Sequence, residues 1–221
     1  MKIAIDGPAS AGKSTISKLV AQALDFTYLD TGAMYRATTY LALQQKIALD
    51  DAPKIAQALA KATIDFQNGP ENDQKVFLNG EDITEVIRSA EVTGLVSQVA
   101  ALPEVRQTLV QQQRQIADRT NIVMDGRDIG TTVLPDAEVK IFMTASVLRR
   151  AQRRYKENIA KGMTTSLETI KTDIEHRDYK DSHRAVSPLR QAEDAIVVDT
   201  SDLNIEQSTA KILGIIRQKM N

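Results

Sequence analysis

The opening residues restrict this chain more than any later stretch. Lys2 to Asp6 is a short apolar run that feeds directly into Gly7-Pro8-Ala9-Ser10-Ala11-Gly12-Lys13-Ser14, after which a helical pattern begins. The octet fits G-x-x-x-x-G-K-[ST], and the motif has physical content only between a strand and a helix, where it stands here. Glycines let successive backbone N–H groups turn inward, and the helix N-terminus adds partial positive charge. Residues Gly7, Pro8, Ala9, Ser10, Ala11, Gly12, Lys13, Ser14 and Thr15 are therefore expected to cradle nucleotide phosphates. Lys13 should reach the transferring group and Ser14 should ligate Mg²⁺.

The rest of the chain repeats the strand-then-helix rhythm of βαβ units, which predicts a mostly parallel sheet. Strands are expected at 2–6, 27–30, 122–125, 139–143 and 195–199, with helices near 13–24, 33–45, 103–119, 147–161, 166–178 and 205–219. One stretch breaks the rhythm. From about 63 to 83 the pattern alternates, and Asn79-Gly80 supplies a type I′ hairpin signal, so a small antiparallel insert is expected. Its middle, Asn68-Gly69-Pro70-Glu71-Asn72-Asp73, reads as an exposed polar loop.

Composition matters chiefly for what it excludes. A net charge of −1 with no Trp argues against a nucleic-acid surface, which usually carries a basic excess and often stacking rings. The arginines are nonetheless clustered: Arg149, Arg150, Arg153 and Arg154, then Arg177, Arg184 and Arg190. In a nearly neutral chain such clustering suggests a compact anion more than a polymer. There is no cysteine, which removes disulfides and thiolate zinc sites, and no 18-residue apolar run. The expectation is an unprocessed cytoplasmic protein without membrane or nucleic-acid partners.

A phosphate loop alone is shared by GTPases, ATPases and kinases. No Asn-Lys-x-Asp guanine reader occurs, whereas Asp30-Thr31-Gly32-Ala33-Met34-Tyr35-Arg36 lies at the start of a helix, with Arg36 about one turn in from Gly32. Asp125, ending its strand, is a candidate second Mg²⁺ partner, although strand-terminal carboxylates are common. At this level a kinase for CMP, UMP, AMP or a hydroxylated metabolite remains open, as does a non-catalytic nucleotide-binding module.

Taken together, the 7–15 and 30–36 segments, Asp125-Gly126-Arg127-Asp128-Ile129-Gly130, and Arg177, Asp181 and Arg184-Ala185-Val186-Ser187-Pro188-Leu189 resemble the bacterial cytidylate kinases in matching order. The segment from Ser97 to Arg106 is similar as well. The resemblance implies an α/β, P-loop nucleoside monophosphate kinase fold: a five-stranded parallel sheet flanked by helices, with the antiparallel β insert and a short helical lid. It implies one kinase domain over 1–221, a monophosphate-binding region at 31–102 containing the insert, and a lid at 149–165. ATP, with Mg²⁺, would phosphorylate CMP and dCMP in a monomer.

By the same resemblance Asp128 accepts from the cytosine amino group, and Arg106 and Ser97 face the ring acceptors. A carboxylate suits cytosine and repels uracil, whose O4 and N3 reverse the pattern. Thr31, Arg36, Arg127 and Arg177 are assigned to acceptor binding, Asp181 to the ribose hydroxyls, and Arg184 to the base and phosphate. Lys13, Arg127, Arg150, Arg153 and Arg154 are the expected catalytic cations. Arg149, Arg150, Arg153 and Arg154 form two i,i+4 pairs on one predicted helix, which would carry guanidinium groups over the transferring phosphoryl. Since a phosphate acceptor is largely dianionic at neutral pH, no general base is needed, and His176 and His183 are read as incidental.

Overall fold

The computed structural model describes residues 1–68, 74–160 and 162–220. In chain order its first half comprises β1 (Lys2–Asp6), α1 (Lys13–Leu24), β2 (Thr27–Asp30), α2 (Thr31–Gln44), α3 (Ala52–Lys61), β3 (Ile64–Asn68), β4 (Gln74–Leu78), β5 (Glu81–Asp82) and α4 (Ala90–Val99). Then come α5 (Pro103–Ala117), β6 (Ile122–Gly126), β7 (Val139–Thr144), α6 (Val147–Ala160), α7 (Leu167–His183), β8 (Ile196–Asp199) and α8 (Ile205–Met220). Two compact units divide the chain: Met1–Tyr28 with Asn121–Asn221, and Leu29–Thr120.

The expected five-stranded parallel sheet is present, ordered β2-β6-β1-β7-β8. β1 lies between β6 and β7, with Ile3 opposite Val123 on one side and Val139 on the other. A strand covered on both faces has no solvent side on which to place polar residues, and Ile3, Ala4 and Ile5 are accordingly all fully buried. Ile16 and Val20 of α1, and Ile212 and Ile216 of α8, each recur at a four-residue spacing that puts them on one helix face. They join Ile3, Ile5, Val123 and Ile141 in a common core. A smaller cluster of Ala151, Ile170 and Ile174 belongs to α6 and α7. Asp6 stands opposite Gly126 in the β1–β6 register, so the loops leaving both strands emerge side by side at the carboxyl end of the sheet.

In the second unit α2 packs on α3 and α4, and α3 on α5. The antiparallel insert is also present, as the sheet β3-β4-β5. Leu78 pairs with Glu81 across Asn79 and Gly80, whose φ angles of 52° and 85° are those a type I′ turn demands. Residues 69–73 of the polar cluster lie outside the described residues, as does Lys161, the expected last residue of the helix at 147–161.

Two helices went unread in the sequence. α3 carries ordinary start signals, an Asp51 side chain accepting from Lys54 N–H at 3.2 Å and a proline in the first turn, with Ile55 and Leu59 buried four residues apart. α4 is short and contains Gly94 and several β-branched residues, which weaken helical propensity, and it is held by the burial of Val92, Val96 and Val99. The helix expected to end at 178 runs on to His183, since no breaker intervenes before Pro188. Among the described residues no helix is long and apolar enough to cross a membrane.

Candidate functional site

The loop between β1 and α1 is shaped by close approach. Gly7 has φ 152°, and a Cβ there would fall 1.9 Å from the Met143 carbonyl oxygen of β7, so no other residue fits without moving a strand end. Ser10 and Gly12, at φ 57° and 90°, complete the inward turn. Lys13 is buried and its Nζ donates to the Pro8 carbonyl at 2.7 Å. Burial, and then the neighbouring Arg127, pull its pKa down to about 7 against the opposing pull of Asp125 and Asp6. The side chain is thus folded over its own loop, within an environment that favours an anion beside it.

Ser14 and Asp125 come together as expected: the Ser14 hydroxyl donates to Asp125 Oδ2 at 3.0 Å, while Tyr28 donates to Oδ1 at 2.7 Å. The two supply hard oxygen donors next to a phosphate loop, a set that fits Mg²⁺, which commonly takes one or two protein ligands and completes its shell with phosphate oxygens and water. Tyr28 was not foreseen. It holds the carboxylate from the neighbouring strand β2, a relation that alternation along four residues does not reveal.

Beyond β6 two buried ion pairs link the Arg127–Asp128 dipeptide to the end of α7. Arg127 Nε donates to Asp181 Oδ2 at 2.9 Å, and Arg184 donates to Asp128 Oδ1 at 3.0 Å. Burial alone would raise the Asp181 carboxyl, but Arg127, Arg177 and Arg184 outweigh it and hold it below the usual carboxylate range. The second pair has side-chain exposures of only 7% and 5%. Asp128 opens a π-helical turn at Ile129–Val133, whose first two amides donate to Asp6, the last residue of β1.

Within the two i,i+4 pairs of α6 arginines, one member of each meets the phosphate loop and the other faces solvent. Arg150 is buried, donating to Ala145 O at 2.9 Å, to Ala9 O at 3.0 Å and to Asp178 at 2.5 Å. Arg153 donates to Ala11 O at 3.2 Å and to the Thr200 backbone carbonyl. Both guanidinium groups are thus bound to carbonyls of the phosphate loop. Arg154 instead faces solvent and pairs with Glu157 at 3.4 Å, and Arg149 pairs with Asp202 at 3.1 Å. Asp178, absent from the sequence reading, accepts from Ala9 N–H at 3.2 Å as well as from Arg150. The available signal was its helical stripe, Arg177-Asp178 followed by Asp181. His176 and His183 are exposed, the latter stacked on Tyr179.

Within the second unit Asp30 caps α2 by accepting from Ala33 N–H at 3.0 Å, which leaves Thr31 buried as the first helical residue. Arg36 donates to the Ile87 carbonyl at 3.1 Å and to Thr93 at 2.7 Å. Arg106 is buried, donates to Ala100 O at 3.2 Å and stacks over the Tyr35 ring. Ser97 lies half-buried on α4.

Comparison with known proteins gives a consistent result. The family described as cytidylate kinase matches residues 3–218. Proteins named cytidylate kinase from Leuconostoc mesenteroides and Streptococcus pneumoniae are 58% and 55% identical over 220 residues, covering all of this chain and 98% and 99% of theirs. Among solved structures, an uncharacterized protein from Eubacterium ventriosum aligns with a TM-score of 0.55, and a shikimate kinase from Bacteroides thetaiotaomicron with 0.50. Both are 12% identical, with 98% of each chain covered, a likeness of fold alone.

Proposed function

The chain belongs to the cytidylate kinase family of ATP-dependent phosphotransferases, and from that membership we propose that it transfers the γ-phosphoryl of ATP to CMP and dCMP. The observation that carries the reading is the phosphate loop itself: inward-turned backbone, a buried Lys13, and Ser14 beside Asp125. An oxygen of the acceptor phosphate attacks the γ-phosphorus as the bond to the β–γ bridging oxygen breaks, and ADP leaves. No proton has to be removed from a dianionic acceptor. Catalysis then amounts to aligning two polyanions and stabilising charge on the equatorial oxygens.

Lys13 approaches the transferring group, and Arg150 and Arg153 are tethered to the loop that holds it. Arg154, solvent-facing here, acts only if α6 moves. Ser14 and Asp125 would hold Mg²⁺, which when bound offsets the charge of the ATP phosphates. On the acceptor side, Asp128 takes the cytosine amino group, while Arg184, hydrogen-bonded to it, keeps it aimed. Arg127, Arg177 and Asp181 serve the phosphate and ribose, and the 31–102 region contributes Thr31, Arg36 and Ser97, with Arg106 just beyond it. A coupled assay of ADP release against CMP, dCMP, UMP and AMP tests the assignment. CMP should be turned over fastest; faster turnover of AMP would reject it.

A further inference from the structure

Asp6 is the last residue of β1, is only 5% exposed, and has no place in the phosphate-loop motif that follows it. Each of its oxygens accepts from one backbone amide: Oδ1 from Ile129 N–H at 2.8 Å, and Oδ2 from Gly130 N–H at 2.7 Å. Two bonds from successive amides to one carboxylate fix the intervening peptide in orientation as well as position. The same turn is fastened from its other side, where Thr132 and Val133 N–H groups both donate to the Asp128 carbonyl, at 2.9 and 3.2 Å. The backbone on which Asp128 stands is therefore gripped at consecutive points.

Gly130 keeps its amide near Asp6 because nothing larger fits easily. A Cβ there would lie 3.4 Å from Asp6 Oδ2 and 3.1 Å from the side chain of Lys140, which is itself tied to Asp194 at 2.8 Å. A merely space-filling residue at position 6 would be apolar. A buried carboxylate is unfavourable in itself, and burial pushes the Asp6 carboxyl up to about 6 despite the two amide bonds. Asparagine has only one acceptor oxygen to offer, so the second amide would be left facing an NH₂ group.

We infer that Asp6 is a positioning residue for the acceptor, holding the loop that carries Arg127 and Asp128 and so governing selection of CMP rather than binding of ATP. The inference rests on the proposed reading of Asp128 as the contact to the cytosine amino group. The amides it grips follow Asp128 directly, whereas Lys13 donates to the Pro8 carbonyl and the Ala9 amide to Asp178, so what Asp6 adds to the phosphate loop is charge, which helps keep Lys13 protonated.

Steady-state kinetics of Asp6→Asn, with each nucleotide varied in turn and Asp128→Ala run beside it, test the inference. Expected are a rise of about tenfold or more in KM for CMP, a KM for ATP within about threefold of wild type, and a fall in CMP-over-UMP selectivity, the scale set by one buried amide losing its acceptor. An unchanged KM for CMP overturns the inference, as does an equal rise for both nucleotides, which would mean a general loss of structure. If Asp128→Ala loses selectivity while Asp6→Asn keeps it, positioning fails and base reading stands. If Asp128→Ala keeps selectivity, base reading fails, and the CMP-against-ATP split still decides positioning. Should Asp6→Asn not fold by circular dichroism, Gly130→Ala retains both carboxylate oxygens and crowds their contact. The same KM split is expected of it, and its absence in that folded variant overturns the inference.

Discussion

Lys13 rests on the carbonyl of Pro8, so its amine is already inside the loop before any nucleotide arrives. Lys13→Ala should lower kcat by roughly 10²–10³-fold or more, the scale of one well-placed electrostatic group, with an unchanged circular dichroism spectrum. Wild-type turnover would remove the phosphate-loop argument. Asp6 allows a stability prediction that does not involve substrate. Its folded-state pKa is raised from 3.8 to about 6, chiefly by burial, so its contribution favours the folded state below about pH 4 and is lost as pH rises through about 6. Denaturant unfolding between pH 4 and 7 should show wild type losing roughly 2 kcal/mol relative to Asp6→Asn over that interval. A pH-independent difference would contradict the shift. At this scale the sequence was most legible where function is packed into contiguous residues: Lys13 and Ser14 follow from an octet. Tyr28, Asp178 and Asp6 act on partners roughly a hundred or more positions away, and spacing along the chain carries no record of such meetings.

Among the elements, α6 and α7 depend on a bond that crosses between them and continues to the phosphate loop. Arg150 and Asp178 pair at 2.5 Å with side-chain exposures of 5% and 21%, and both also touch Ala9. Arg150→Met should destabilise the fold by about 2 kcal/mol, because it removes the bound cation from a partly buried carboxylate and leaves it the Ala9 amide. Urea denaturation checks this, and a change under about 1 kcal/mol would show the pair to be solvated. Gly7→Ala should be harsher, since its Cβ cannot coexist with the Met143 carbonyl; a soluble variant with wild-type ATP affinity would refute that geometry. The strands were readable because each is a short apolar run bounded by turn formers, and the insert because Asn79-Gly80 announces its own backbone conformation. α4 was not, since its stability comes from what Val92, Val96 and Val99 bury rather than from local propensity. The i,i+4 spacing of the α6 arginines was legible and their partners were not, for a related reason. Periodicity fixes which residues share a stripe, but it does not say which stripe meets carbonyls and which meets water.

At the scale of the molecule, two units with their own hydrophobic cores should not exchange their amides uniformly. β1, paired on both sides and buried throughout, belongs among the slowest segments, and β8, an edge strand with Ile196 and Val197 exposed, among the faster ones. Hydrogen exchange followed by mass spectrometry reads this directly, and faster exchange in β1 than in β8 would contradict the sheet order. The second unit is one unbroken length of chain, and the residues that flank it are nearly in contact: Thr27 N–H donates to the Asn121 carbonyl at 2.9 Å. Departure and return therefore share a doorway. Because closing a loop depends only weakly on its length, the stretch beyond the end of β2 can lengthen or shorten at small entropic cost. Such a layout leaves the phosphate loop, borne wholly by the other unit, undisturbed by what is grafted at that doorway.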